Sequence, residues 1–170
     1  MKSFQTQKNS GFTIIETLVA VAILMISIAG PLTLAHKGLL AATYARDQVT
    51  ASYLAQDAME FVKNKRDNNK LADASWLTGI SQCISVNCSV DTINTNNSFT
   101  VCNSSCVLKK DNSLGYNHST GNNSQFSRYF YITPNNANPE QATLTVEISW
   151  KSGTIENLVT YKSEIFDVLK

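Results

Sequence analysis

Charge is scarce along this chain, and the scarcity is uneven. Only 16% of the 170 residues are Asp, Glu, Lys or Arg, and 14 basic residues against 13 acidic leave a formal net charge of +1. No basic stripe exists to follow a phosphate backbone, so a strong nucleic-acid partner is not expected. Histidine is limited to His36 and His118, one in a helical stretch and one in a polar loop, and each reads as a surface residue, not a ligand. The chain has no Gly-rich phosphate loop and no nucleophile elbow, and Glu164 and Asp167 are too isolated to act as an acid/base pair. Catalysis has no constellation to rest on, so neither an enzyme nor a cofactor is expected.

The emptiest stretch of all is Phe12 to Ala29, whose one charge is Glu16. Ahead of it, residues 1–10 are polar, with Lys2 and Lys8 and no acid. As a helix these 18 residues would span about 27 Å, close to a hydrocarbon core. Basic residues on the N-terminal side favour an N-in, C-out orientation. A lone carboxylate in such a run costs about 2.5–3.5 kcal/mol at mid-bilayer. No Lys or Arg lies in the run to neutralise it, so its cation would have to come from another chain. Ala20, Ala22, Ala29 and Gly30 are small enough for close helix–helix approach. The Gly11-Phe12 junction precedes the apolar run, so a cut there would leave that run on the mature protein, unlike an ordinary secretory signal. Pro31 lacks an N–H and clashes with the preceding turn, so Gly30-Pro31 is expected to break or kink the helix.

From Leu32 to Arg66 the pattern is amphipathic. Leu32, Ala35, Leu39, Ala42, Val49 and Tyr53 recur near a seven-residue rhythm, continued by Leu54, Ala58, Phe61 and Val62, with Lys37, Arg46, Asp47, Asp57, Glu60 and Lys63 elsewhere. That predicts one packing face and, with the first segment, a helix of about 55 residues, about 80 Å long. Lys63, Lys65 and Arg66 suit its C-terminal end, and Asn68 and Asn69 supply turn chemistry. Residues 70–126 are Asn- and Ser-rich, with Trp76, Leu77 and Ile80 expected to seal a loop or short helix, a short strand at 98–101, and turns around Gly115-Tyr116 and 121–124. Residues 127–133 read as a strand, and Ala142 to Trp150 alternates with period two, placing Leu144, Val146, Ile148 and Trp150 on one face. A turn at 151–153 and a return strand from Thr154 to Ile165 complete a hairpin. A helix followed by an antiparallel sheet is an α+β domain.

Cys83, Cys88, Cys102 and Cys106 fall within 24 residues. Outside the membrane an even count in a small polar region favours disulfides. Local pairs 83–88 with 102–106 compete with nested pairs 88–102 and 83–106, the local set being preferred. A zinc site built from all four is the rival, for which the gaps within each pair are loose. The disulfides would staple a region too polar to bury its own core.

The basic leader followed by Gly11-Phe12-Thr13-Ile14-Ile15-Glu16 and the apolar run resembles the type III signal of type IV prepilins. The stretch from Leu54-Ala55-Gln56-Asp57 to Arg66-Asp67-Asn68-Asn69 is similar to the end of the long helix in minor-pilin-type proteins. The resemblance implies cleavage between Gly11 and Phe12 by a prepilin peptidase, N-methylation of Phe12, and pairing of Glu16 with the amine of a neighbouring subunit. It also implies a pilin-like fold, in which a long N-terminal helical spine packs on a C-terminal antiparallel β-sheet with a disulfide-stapled loop region. The domains expected are a leader (1–11), a transmembrane and assembly helix (12–30), an amphipathic half-spine (31–69) and a globular head (70–170, with variable loops to 126). Such a chain would be a structural subunit, a minor pilin of a type IV pilus, anchored by one span in the cytoplasmic membrane with its C-terminal domain outside and extracellular after assembly. Its partners would be the peptidase, other pilin subunits and an assembly platform protein. A pseudopilin of a type II secretion system and a membrane-anchored adhesion module are the alternatives.

Overall fold

The computed structural model describes residues 11–93, 99–102 and 106–167. Lys2, Lys8 and Ser98, on which expectations fell, lie outside these. The chain divides into two compact units, Met1–Tyr44 and Ala45–Lys170. Helix α1 (Ile14–Leu71, 58 residues) contributes to both and carries Pro31 inside it, so the helix does not stop there.

In the first unit every described residue is exposed. The most apolar 18-residue window of α1 has a mean hydropathy of 2.4 and none of it is buried. The hydroxyls of Thr17, Ser27 and Thr33 donate back to the carbonyls of Ile14, Leu24 and Ala29 at 2.7–2.8 Å. Those polar side chains are thus satisfied within the helix and place no demand on an apolar surrounding. Length, composition and position suit a membrane anchor.

In the second unit α1 buries Ala51, Leu54, Ala55, Ala58 and Val62, a stripe at helical spacing. The seam differs from the expected rhythm. Val49 and Tyr53 are 54% and 68% exposed, while Asp47, read as a solvent-facing charge, is 3% exposed. The buried positions Asp47, Ala51, Leu54, Ala55, Ala58 and Val62 share one face at helical spacing, from which Val49 and Tyr53 are rotated away. Asn69, in the last turns, donates from Nδ2 to the carbonyls of Trp76 (3.1 Å) and Thr78 (2.7 Å), folding the following loop back under the helix end. Trp76 and Ile80 enter the core through that loop, ahead of a single 3-10 turn (Ser81–Cys83).

Among the described residues the sheet has seven antiparallel strands. β1 is Cys88–Val90, β2 Phe99–Val101, β3 Val107–Asp111, β4 Gly115–Asn117, β5 Asn122–Pro134, β6 Gln141–Ser152 and β7 Ile155–Phe166. β5, β6 and β7 form the expected meander, with Phe130 opposite Val146 and Ile148 opposite Val159. The 13-residue β5 carries two hairpins on its other edge: β1 joins it at Phe130, and β3 joins it from Ser127 to Asn122 through a bulge. The inward residues Leu144, Val146, Ile148 and Trp150 are no more than 1% exposed. Gly115-Tyr116 opens a strand where a turn was expected. The turn lies just before it, where Asp111 Oδ1 accepts the N–H groups of Ser113 (2.8 Å) and Leu114 (3.0 Å). Those two hydrogen bonds hold the Asp111 carboxyl below the usual carboxylate range. At Gly121 (φ +94°) a side chain would run into the Lys110 backbone, so only glycine fits. The architecture is α+β, a long helix on an antiparallel sheet with two disulfides.

Candidate functional site

The N-terminal junction is non-helical: Gly11, Phe12 and Thr13 precede the first helical residue, and all three are exposed. The junction is therefore outside the helix and open to solvent. A Cβ added at Gly11 would meet nothing within 4 Å, and its φ is not in the left-handed region. Neither packing nor backbone conformation therefore demands glycine here. Phe12 is 78% exposed. Glu16 lies in the first turn, where a carboxylate complements the helix dipole. Its N–H donates to Thr13 Oγ1 at 3.3 Å, so Thr13 caps the helix. Among the described residues the Glu16 carboxylate has no ion-pair partner.

The second unit holds an ion pair that strand reading passed over. Arg128 is fully buried, on the inward face of β5 between Phe126 and Phe130. Its Nη1 donates to the Leu54 carbonyl (2.9 Å) and to Asp57 Oδ2 (2.8 Å), and its Nη2 to the Val90 carbonyl (2.8 Å). One guanidinium thus ties helix α1, strand β1 and strand β5 together. Burial pulls its pKa down, against the hydrogen bond and charge of Asp57. Asp57 also accepts from Thr92 Oγ1 at 3.0 Å. The signal was present in the sequence: alternation puts Arg128 in phase with Phe126, Phe130 and Ile132, and a charge on an apolar face requires a partner.

The four cysteines pair locally, Cys83 with Cys88 and Cys102 with Cys106, which removes the thiolates a zinc site would need. Cys83 and Cys88 are buried in the core beside Ile80. His36 is exposed. His118 departs from the surface reading: it is half-buried, and its Nε2 has no partner among the described residues. Burial, helped by the Arg128 charge, pushes its pKa down to about 4, against the pull of Asp91 and a hydrogen bond with the Val107 backbone. Asp91 is itself buried and accepts from Ser119 Oγ at 2.5 Å. A histidine whose folded pKa lies below its unfolded value stabilises fully above about pH 6.5 and loses that contribution as pH falls through about 4. Allowing for its partial exposure, about 2 kcal/mol is at stake. The wild-type unfolding midpoint is expected to drop more between pH 7 and pH 4 than that of His118→Gln. Parallel pH profiles would contradict this.

On the outer face Tyr129 donates a short hydrogen bond to Glu147, which pushes the phenol up to about 12. Glu164 accepts from Thr143 Oγ1 at 2.9 Å, and Asp167 pairs with Lys70 at 2.8 Å, so both carboxylates are engaged at the sheet edge and the helix end. Among the described residues no group of three or more His, Cys, Asp or Glu could hold a metal ion.

Residues 6–30 match the family model for the prokaryotic N-terminal methylation motif. The match covers the end of the polar N-terminal stretch, the Gly11-Phe12 junction, Glu16 and the apolar run. No curated protein and no solved structure matches the chain.

Proposed function

We propose that the chain is a type IV pilin-like prepilin, as its methylation motif supports, and that it serves as a minor pilin, a structural subunit of a type IV pilus. A prepilin peptidase cuts between Gly11 and Phe12 and the new Phe12 amine is methylated. The apolar half of α1 holds the subunit in the cytoplasmic membrane as a single span, with the second unit outside, until an assembly platform protein helps transfer it into the fibre. There Glu16 meets the Phe12 amine of a neighbouring subunit, which offsets the cost of a desolvated carboxylate and sets the axial register. The observation that carries this reading is the exposed, non-helical Gly11-Phe12 junction directly ahead of an apolar helix, within a matched methylation motif. Proteins of this class build filaments and are not enzymes.

The test is the composition of sheared filaments from the native host, probed with an antibody to the second unit. Recovery of the subunit with pili, lost when the platform protein is deleted, supports the minor-pilin reading. Recovery only with components of a type II secretion machine would assign it as a pseudopilin instead.

A further inference from the structure

We infer that the cleft beside α1 in the second unit is a binding site for an acidic oligosaccharide, a polyhydroxylated ligand bearing a carboxylate. The cleft has a volume of about 640 Å³, with Arg46 and Asp47 of α1 on one wall and the β3–β4 hairpin and the start of β5 on the other. Asp47 is the unusual member. It is 3% exposed yet borders the cleft, and the only hydrogen bond its side chain receives among the described residues comes from Arg46 Nη2, at 3.4 Å. That is long for a charge-assisted bond, and the Arg46 side chain is 74% exposed. A buried carboxylate with spare lone pairs calls for donors, and hydroxyl groups supply them without adding charge.

The other surfaces fit the same chemistry. Tyr116 is held edge-on against Phe126, ring centroids 5.6 Å apart, which leaves a fixed aromatic wall. Burial and the Asp47 charge raise its pKa, so the phenol remains a donor near neutral pH. Asn122 and Gln125 each offer a donor and an acceptor, as vicinal hydroxyls require. At the rim Arg46 and Lys110 are in place for a ligand carboxylate, Lys110 Nζ sitting 5.6 Å from the Tyr116 ring centroid. A simple anion would leave Asp47 without a donor, and a neutral sugar would leave both rim cations unmatched. A hexuronate chain uses every group. The inference presupposes only that the second unit faces outward, as the proposed function has it.

The experiment is calorimetric titration of the full chain, held in a polyoxyethylene detergent that carries no sugar, with trigalacturonate as probe. Saturable one-site binding is expected, weakened about tenfold or more by Asp47→Asn and by Arg46→Gln and several-fold by Gln125→Ala. Neutral galactotriose should bind at least about tenfold more weakly, and inorganic tripolyphosphate should not compete. Absence of saturable heat up to about 10 mM probe would overturn the inference. So would equal binding by the wild type and both charge variants, or competition by tripolyphosphate as effective as the sugar, which marks an anion patch only. If Asp47→Asn does not fold, Arg46→Gln and Gln125→Ala decide alone. Leader processing is read separately, so loss of sugar binding leaves the pilin assignment standing, and failed processing leaves the binding result intact.

Discussion

Arg128→Met is expected to lower the stability of the second unit by about 3–5 kcal/mol, because three acceptors share this one buried donor. For a unit of this size that is about 10–20 °C in the unfolding midpoint. Methionine approximates the length of the side chain but donates nothing, so the Leu54 and Val90 carbonyls and Asp57 all lose the donor they share. Each buried acceptor left unpaired costs about 1–3 kcal/mol. Asp57→Asn should cost much less, about 1 kcal/mol, because the Asp57 side chain is 47% exposed and water can replace part of the contact. Arg128→Lys should fall between, since an ammonium cannot span three acceptors with a planar fork. Thermal and urea unfolding of the three variants provides the check. Equal losses for Arg128→Met and Asp57→Asn would mean that the pair acts only through its charge.

The second large effect concerns assembly. Glu16→Val is expected to leave the subunit cut and membrane-inserted, yet to reduce its share in sheared filaments by about tenfold or more. A lost ion pair in an apolar fibre core is worth about 3–5 kcal/mol per contact, and about 1.4 kcal/mol already makes a factor of ten. A local role competes with this one. Thr13 and Glu16 have the spacing of a capping box, and Glu16 N–H already donates to Thr13 Oγ1 at 3.3 Å. The two roles separate through Thr13→Ala, which removes the cap at a cost of about 1 kcal/mol and leaves the Glu16 carboxylate in place. Filament incorporation should survive Thr13→Ala and collapse in Glu16→Val. Equal loss in both would assign Glu16 to the helix end.

Strong periodic signals in the sequence were readable in the fold. The alternation from Ala142 to Trp150 placed Leu144, Val146, Ile148 and Trp150 inward, and they are the buried face of β6. The apolar run and the amphipathic stretch after it gave one helix, because the first lacks charge and the second has a continuous small-residue seam. Three strands escaped notice. Cys88–Val90, Val107–Asp111 and Gly115–Asn117 are too short and too polar to show a period. The first two exist because the long edge of β5 offers them backbone partners, and Gly115–Asn117 because it folds back onto Val107–Asp111, tertiary causes that propensity cannot report. Tyr53 and Val49 misled because size suggested the seam, whereas the buried face runs through Asp47, Ala51, Leu54, Ala55, Ala58 and Val62. The cleft at Asp47 was beyond sequence reasoning, since it joins positions some 70 residues apart and its key carboxylate looks like any solvated charge on a helix. At the N-terminus the reverse holds. There the motif is local, so the sequence carried it, and the geometry adds that Gly11 has no structural reason to be glycine.

The most direct test of the account is intact-mass and N-terminal analysis of the protein made with and without its host's prepilin peptidase. The account predicts a peptidase-dependent product that begins at N-methylated Phe12. An uncut chain beginning at Met1, in a host whose other prepilins are processed, would contradict it.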